Sequence, residues 1–266
     1  MKKIYLLVFF FGILTSCQDV IEVELNDAPP RLVIEANINI LEDGSSLSSL
    51  VKLTTTAPFF DNVVPIVEDA IVLIADENGV EYPFEYRGEG LYQGIFLPQE
   101  DIDYSLKIIY DDEVYTATTQ LQTTATLEYV NQRDDGGFSG EDIELKVFFN
   151  DPINEENFYY FTGITEKGTV RSVYNDEFSN GNLNFGYFVV EDLAPGDSVI
   201  FNLYGVDEDF YNYMFVLLQQ IGGGSGPFDT QPATVRGNII NETNPENYPL
   251  GYYRISEVSL LNYIVQ

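Results

Sequence analysis

Hydrophobic and polar residues alternate along much of the chain, which is the pattern of β-strands that bury one face. Residues 31–40 show it most clearly, because an apolar side chain occupies every second position of this run. Shorter runs of the same kind follow at residues 82–86, 104–110 and 143–149. The pattern therefore predicts an all-β protein.

The first half of the chain has the strand spacing of an immunoglobulin-like sandwich. Apolar residues 70–75 lead into a turn at Asn78-Gly79, whose residues readily adopt positive φ, and alternation resumes at Tyr82. About seven or eight short strands fit between residues 31 and 121, and that number suits such a sandwich. We therefore assign residues 31–121 to an immunoglobulin-like β-sandwich.

A second β-rich domain is predicted for residues 122–266, with further strands around residues 233–240 and 250–264. The two domains should meet near residues 121–127, where the chain is rich in threonine. One amphipathic helix is predicted at about residues 207–220, and the carboxylates of its first turn complement the exposed backbone amides. Its apolar stripe has helical spacing and should pack onto the second domain: Phe210, Tyr213, Met214, Leu217, Leu218 and Ile221.

The N-terminus has the features of a bacterial lipoprotein signal peptide. Two lysines precede an apolar run too short to cross a bilayer as a helix, and Leu14-Thr15-Ser16-Cys17 then matches a lipobox. We expect residues 1–16 to be removed, Cys17 to be lipidated and residues 17–30 to form an acidic tether. Acyl chains on Cys17 would then hold the protein at a membrane. An ordinary secreted protein is the alternative, but a cysteine rarely falls at this spacing by chance.

The charge of the chain restricts its partners. Its 43 acidic residues outnumber its 12 basic residues, which gives a net charge of −31 at pH 7. Such a chain is repelled by nucleic acid phosphates and by anionic lipid headgroups, so we expect no nucleic acid partner. The 45% hydrophobic content nevertheless favours a folded body over a disordered one.

Several residue types that catalysis commonly uses are absent. The chain has no His and no Cys besides Cys17. It therefore cannot assemble a Ser-His-Asp or Cys-His unit, a zinc site with imidazole or thiolate ligands, or an internal disulfide. We expect that the protein is not an enzyme and carries no cofactor. A pair of carboxylates, as in glycoside hydrolases, is the catalytic alternative, although so acidic a chain contains many such pairs.

Acidic clusters and one aromatic pair are the remaining candidate sites. Residues 100–103, 134–142 and 150–156 are rich in carboxylates that could bind calcium, but none has EF-hand spacing, and solvated turns explain them more simply. Most of the 19 tyrosines and 19 phenylalanines fall at alternating strand positions, where core packing accounts for them. Phe59 and Phe60 instead follow Pro58 in a loop. They are the candidate contact with a partner, and folding back over the sandwich edge is the alternative.

Several motifs occur in a fixed order along the chain. They are Arg31-Leu32-Val33-Ile34-Glu35, Ala57-Pro58-Phe59-Phe60-Asp61, the hairpin at residues 70–79, Asn150-Asp151-Pro152 before Phe158-Tyr159-Tyr160, Val206–Gln220 before the glycine-rich residues 222–226, Ala233–Ile239, and Leu250-Gly251-Tyr252-Tyr253. In their order and spacing, nearly the whole mature chain resembles the Bacteroidota outer-membrane lipoproteins grouped as domain of unknown function 4249. The stretch Asn241–Pro249 departs from that pattern, since members often have a shorter turn there.

The resemblance implies a role at the outer membrane. Members are typically encoded beside SusC-like TonB-dependent transporters, which implies that this protein is an accessory or ligand-binding partner of such a transporter in nutrient uptake. Acidic residues shortly after the lipidated cysteine accompany surface display in these bacteria, so the resemblance also implies that the protein faces the cell exterior. A structural or adhesive surface module without a transporter is the alternative function, and a carboxylate-dependent glycoside hydrolase is less favoured.

Overall fold

The computed structural model describes residues 29–58, 63–137, 140–153, 155–222 and 234–266. Within these ranges the first strands are β1 (Leu32–Leu41), β2 (Ser46–Thr55), β3 (Ile71–Asp76), β4 (Glu81–Gly88), β5 (Leu91–Gln93), β6 (Tyr104–Tyr110), β7 (Glu113–Thr119) and β8 (Leu121–Gln122). The later elements are β9 (Leu127–Gly136), β10 (Asp142–Asn150), β11 (Phe158–Thr165), β12 (Gly168–Asn175), β13 (Leu183–Phe188), β14 (Ser198–Val206), helix α1 (Glu208–Gly222), β15 (Ile240–Asn241) and β16 (Leu250–Ile264). None of the helical structure described is long and apolar enough to span a bilayer.

The first half of the chain forms a β-sandwich. One sheet has the order β1-β2-β5 and the other the order β4-β3-β6-β7, with antiparallel neighbours in both. A short pairing of β4 with β5 joins the two sheets at one edge. Alternating residues of β1 fill the space between the sheets, because Leu32, Ile34, Ala36 and Ile38 are all buried in this core. The strand order is that of an immunoglobulin-like sandwich, so the predicted fold class is confirmed.

The second half of the chain repeats this strand order. Its sheets are β9-β10-β13 and β12-β11-β14-β16, again with antiparallel neighbours. Each of these five pairings therefore has a counterpart in the first sandwich. The core is strongly aromatic, since Phe149, Tyr159, Phe161, Phe188 and Phe201 are each exposed by 1% or less. The second β-rich unit is thus a second sandwich of the same topology.

Strand β16 belongs to both sandwiches. Its first part, up to Val258, pairs in parallel with β1, and its last part, from Val258 to Ile264, pairs antiparallel with β14. One hydrogen-bonded sheet therefore continues across both units, and Tyr253 and Ile255 pack in the first core. Residues 122–266 are predicted to form the second domain, and β16 of that range also extends the first sandwich by pairing with β1. Alternation shows that a strand has a buried face, but it does not reveal which distant strand pairs with it.

Close backbone approaches hold the junction between the sandwiches together. Gly251 has a φ of +97°, and a Cβ at this position would lie 2.0 Å from the carbonyl oxygen of Ile34 on β1. Only glycine fits both conditions without displacing β1. The linker between the sandwiches is bound to β16 as well, because the Thr124 amide donates to the Glu257 carboxylate at 2.9 Å.

The connection from α1 to β16 reaches back to the first sandwich. Strand β15 pairs with β7, and the turn that follows is fixed by Glu113, whose carboxylate accepts bonds of 2.7 to 3.1 Å from three asparagine amides. The Tyr115 hydroxyl first, and then these amides, hold the pKa of Glu113 below its ordinary value. The asparagines lie in the stretch that departs from the family pattern: Asn241, Asn244 and Asn247. That stretch is therefore an ordered turn.

The prediction of a strand around residues 233–240 is wrong for most of the residues in this range that the structure describes. Only Ile240–Asn241 forms a strand there. The side chain of Asn238 instead takes the place of a strand neighbour, because it donates to Tyr253 O at 2.8 Å and accepts from Tyr253 N at 2.9 Å. A side-chain amide can thus form hydrogen bonds with the backbone N–H and C=O of one residue of β16 without forming a strand itself.

Candidate functional site

Helix α1 starts at a residue that also binds β16. The carboxylate of Asp207 accepts a hydrogen bond from the Phe210 amide at 2.7 Å, which caps the helix. The same oxygen, Oδ1, accepts a bond from the Tyr252 hydroxyl at 3.1 Å. Burial, and then the Asp207 charge, raise the pKa of Tyr252 far above its ordinary value, so this hydroxyl stays protonated as a donor. The start of the helix is thereby fixed over β16.

The apolar side of α1 packs on the outer face of the continuous sheet, as its periodicity predicted. Phe210 and Met214 are buried in a small cluster with Val206 and Tyr252. The Phe210 and Tyr252 rings meet edge to face with centroids 5.0 Å apart, and Tyr213 lies 5.1 Å from Tyr252. This arrangement is favourable for aromatic pairs. The helix therefore covers parts of β11, β12 and β16.

Arg254 of β16 is buried under this cover. It is 7% exposed, and its Nη1 donates to Asn39 Oδ1 at 2.9 Å and to Ser256 Oγ at 2.7 Å. Its guanidinium carbon lies 4.6 Å from the centroid of the Tyr204 ring and 5.5 Å from that of Phe210. Cation–π contacts of this kind contribute up to about 2 kcal/mol where water is excluded. Burial lowers the pKa of Arg254, yet an arginine remains charged in a folded protein.

The charge of Arg254 has no acidic counterpart in the described structure. Among the described residues, no carboxylate lies within 4.0 Å of its nitrogen atoms, and its buried Nε has no hydrogen-bond partner. A buried charge is costly unless it is paired and fully hydrogen-bonded. Arg254 is therefore a buried cation with unused donor capacity.

Arg254 faces a cleft of about 330 Å³ between α1 and the sheet, which we name the helix cleft. The helix contributes an apolar wall that includes Met214, Leu217 and Leu218. The strands contribute the polar residues of the floor and mouth: Glu35, Asn37, Tyr160, Arg171 and Arg254. The helix cleft thus combines an apolar wall with charged groups at its floor and mouth, as ligand sites commonly do.

Arg171 supplies a second cation at the mouth of the helix cleft. It is exposed, and its charge lies near enough to the Tyr160 hydroxyl to lower the pKa of that group. Burial raises the pKa of Tyr160, and the nearby charges of Arg171 and Arg254 partly offset that rise. Arg171 and Tyr160 therefore lie near each other in the lining of the helix cleft.

Tyr213 and Tyr252 separate the helix cleft from an adjoining cleft of about 420 Å³. This adjoining cleft is bounded by the start of α1 and by residues 235–238. The backbone approach is close here too, because a Cβ on Gly237 would lie 1.8 Å from the carbonyl oxygen of Gly251. The exposed Arg236 lies at its edge.

Two further guanidinium contacts lie beside the adjoining cleft. The guanidinium carbons of Arg31 and Arg236 lie 3.8 and 3.6 Å from the centroid of the Tyr248 ring. Arg31 also donates to the carbonyl oxygen of Tyr248 at 3.1 Å. Four of the six arginines in the chain thus line one of the two clefts or contact Tyr248. The clefts and their surroundings thus combine four cations with the carboxylates of Glu35 and Asp209.

No described residue of the three acidic clusters lines either cleft. Cys17, Phe59 and Phe60 lie outside the described residues. Two carboxylates of the acidic clusters have local partners, since Asp103 accepts from Gln120 at 2.8 Å and Asp151 accepts from the Tyr159 hydroxyl at 2.6 Å. Across the described ranges, no group of three or more acidic residues is arranged to hold a metal ion.

The structure also has an exposed aromatic surface that the sequence pattern did not predict. Tyr129, Phe148 and Phe185 lie side by side on the outer face of the sheet β9-β10-β13, with neighbouring ring centroids 4.8 and 5.5 Å apart. Tyr187 is exposed on the same strand as Phe185. We name these four residues the aromatic outer face. The sequence pattern explains most aromatic residues by core packing, but alternation does not show which face of a sheet another layer covers.

Comparison with known proteins gives a family and a distant structural likeness. No curated protein matches the chain. The chain is similar to a solved two-domain fibronectin type III segment of chicken tenascin, with 12% identity over 67% of this chain and 91% of that one. The TM-score is only 0.21, so the fold assignment depends on the strand pairing alone. A family model described as "Domain of unknown function (DUF4249)" matches residues 18–259.

Proposed function

Because the chain belongs to the DUF4249 family, whose description assigns no activity, we propose a role from its sequence and geometry. In this proposal the protein is a lipoprotein anchored in the outer membrane through Cys17 and facing the cell exterior. It acts there as a ligand-binding accessory of a SusC-like TonB-dependent transporter in nutrient uptake. It uses no catalytic step of its own.

The observation that carries the proposal is the position of the helix cleft relative to the tether. The tether joins the folded body at β1, and Glu35 of β1 lines the helix cleft. From Cys17 to Pro30 an extended chain reaches at most about 45 Å, and the five residues from Arg31 to Glu35 add about 17 Å. A cleft so close to the acyl anchor supports transfer of a ligand to a protein embedded in the same membrane.

The charge of the chain supports a protein partner over adsorption to lipid. A net charge of −31 opposes contact with an anionic membrane surface. Complementary contacts with a partner protein would then hold the body in place. Phe59 and Phe60 remain our candidates for that contact, because the sequence after Pro58 predicts a loop there.

The helix cleft also bears on the enzymatic alternative. Among the described residues that line it, Glu35 is the one carboxylate. A glycoside hydrolase needs two carboxyl groups separated by about 5 to 9.5 Å across the scissile bond. The cleft therefore supports binding better than hydrolysis.

The aromatic outer face favours a second candidate function, adhesion to another surface without a transporter. Exposed rings on neighbouring strands form an apolar patch of the kind that occurs at interaction sites. In that case the aromatic outer face, and not the helix cleft, would carry the activity. Substitution of Tyr129 and Phe185 by serine would then abolish surface attachment and leave nutrient uptake unchanged.

Co-purification from native cells tests the proposal. The protein, tagged after Gln266, is extracted in mild detergent and captured, and the proteins that accompany it are identified and quantified. We expect a β-barrel transporter in equimolar amount, and we expect its loss in a Cys17→Ala variant that cannot be anchored. Recovery of the wild-type protein alone would contradict the proposal. Protease treatment of intact cells tests the orientation, since complete protection would place the protein on the periplasmic face.

A further inference from the structure

We propose that the helix cleft binds a small monocarboxylate with an apolar tail, whose carboxylate pairs with Arg254 and Arg171. This inference deepens the proposed function and rests on its premise that the protein binds a ligand. It concerns the described residues of the cleft only, so it can be tested on the purified protein without a transporter.

The buried guanidinium of Arg254 requires an anion for full pairing. It is 7% exposed and faces the cleft, and no carboxylate of the described structure lies within salt-bridge distance of it. Its Nη1 is occupied by Asn39 and Ser256, whereas its Nε has no partner. The planar guanidinium presents donors that match two carboxylate oxygens. A ligand carboxylate in the cleft would supply the missing charge.

The balance of charge in the cleft favours a monoanion. Its lining residues contribute two cations, Arg171 and Arg254, and one carboxylate, Glu35. One negative charge on the ligand neutralises the group, whereas a doubly charged phosphate would leave an excess negative charge beside Glu35. A single carboxylate therefore fits these residues better than a phosphate does.

The wall formed by α1 specifies the rest of the ligand. Met214, Leu217 and Leu218 present only apolar atoms to the cleft, and Ile221 lies at its open end with 73% of its surface exposed. A volume of about 330 Å³ equals roughly eleven water molecules at about 30 Å³ each. A carboxylate with a tail of about seven or eight carbons has a similar number of heavy atoms. Octanoate is therefore a suitable probe.

The test measures octanoate binding by titration calorimetry. The mature chain with Cys17→Ser keeps every described residue and needs no detergent, which would compete for the cleft. We expect octanoate to bind, and 1-octanol and acetate to bind at least tenfold more weakly. 1-Octanol lacks the carboxylate, and acetate lacks the apolar tail. Arg171→Gln should weaken octanoate binding at least tenfold, which corresponds to about 1.4 kcal/mol. Arg171 is exposed, so this substitution should leave the fold intact.

Arg87→Gln is the matched control, because Arg87 is also an exposed strand arginine and pairs with Glu85 at 2.8 Å on the first sandwich. It should bind octanoate like the unsubstituted chain. The inference is overturned if octanoate does not bind at about 10 mM, if octanol or acetate binds as tightly, or if Arg171→Gln has no effect. Those outcomes leave co-purification with a transporter untouched, so the failure of the ligand class is distinct from the failure of the proposed function.

Discussion

Replacement of Asp207 by alanine tests how the helix cleft is built. Asp207 Oδ1 accepts from the Phe210 amide at 2.7 Å and from the Tyr252 hydroxyl at 3.1 Å. Loss of an N-cap costs about 1 kcal/mol. The hydroxyl of Tyr252, a residue exposed by only 6%, would lose its acceptor, which costs about 1–3 kcal/mol more. We therefore expect Asp207→Ala to lower the free energy of unfolding by about 2–4 kcal/mol.

Urea unfolding followed by circular dichroism measures this difference, since the free energy of unfolding falls linearly with urea concentration. Asp209→Ala is the matched control. Asp209 lies in the first turn of the same helix and is exposed, so its carboxylate contributes only to the helix dipole, by about 0.3–1 kcal/mol. If both variants lose the same stability, Asp207 does not anchor the helix as described.

A double-mutant cycle isolates the bond to β16. In a Tyr252→Phe background the hydroxyl is already absent, so Asp207→Ala should cost only the cap, about 1 kcal/mol. The difference between the two backgrounds is the coupling energy of the Asp207–Tyr252 pair, and we expect at least about 1 kcal/mol. Additive effects of the two substitutions would show that α1 is not held on β16 through this contact.

Three other predictions address the anchor, the shared strand and the helix. Cys17→Ala should leave the protein unprocessed and without acyl chains, and an intact-mass measurement that finds no lipid on the unsubstituted protein would contradict the lipobox interpretation. Gly251→Ala should destabilise the protein by at least about 2 kcal/mol more than Gly44→Ala. Both glycines have positive φ, but only a Cβ on residue 251 would meet backbone atoms. Equal losses of stability in urea unfolding would mean that β1 and β16 are not so closely paired. Leu217→Asp should lower the melting temperature by several degrees, since it places a charge against the apolar cluster under α1. Gln219→Asp, on the exposed side of the helix, should leave the melting temperature unchanged. An unchanged melting temperature for Leu217→Asp would show that α1 is exposed on that side.

The pattern of residues predicted the local elements well but not their long-range pairing. The alternation of β1 and the stripe from Phe210 to Leu218 follow from the side-chain periodicity of a strand and a helix, which neighbouring residues determine. The parallel pairing of β1 with β16 joins residues such as Val33 and Leu250, and no local rule connects them. Residues 252–256 are all buried, but their sequence includes Arg254 and Ser256 and so is not the continuous apolar run that marks a strand covered on both faces.

The candidate site was the least predictable part. An arginine between Tyr253 and Ile255 indicates an unusual strand position, but only the packing of α1 shows that Arg254 is buried without a carboxylate. The sequence likewise could not show that Phe148 and Phe185 lie on the outer face of their sheet, because both faces of β10 and β13 carry aromatic or apolar residues. Site prediction therefore failed where function depends on which layer covers a given face.

Photo-crosslinking in intact cells tests most directly whether the helix cleft faces a transporter. A photoreactive amino acid replaces Ile221, which is 73% exposed at the open end of the cleft, and in separate strains it replaces Ile95, which is 95% exposed on the first sandwich. Adducts are purified through the tag after Gln266 and identified by mass spectrometry. We expect residue 221 to crosslink to a β-barrel transporter and residue 95 to give no such adduct. Absence of a transporter adduct at residue 221, with the protein displayed and folded, would contradict the proposed partnership.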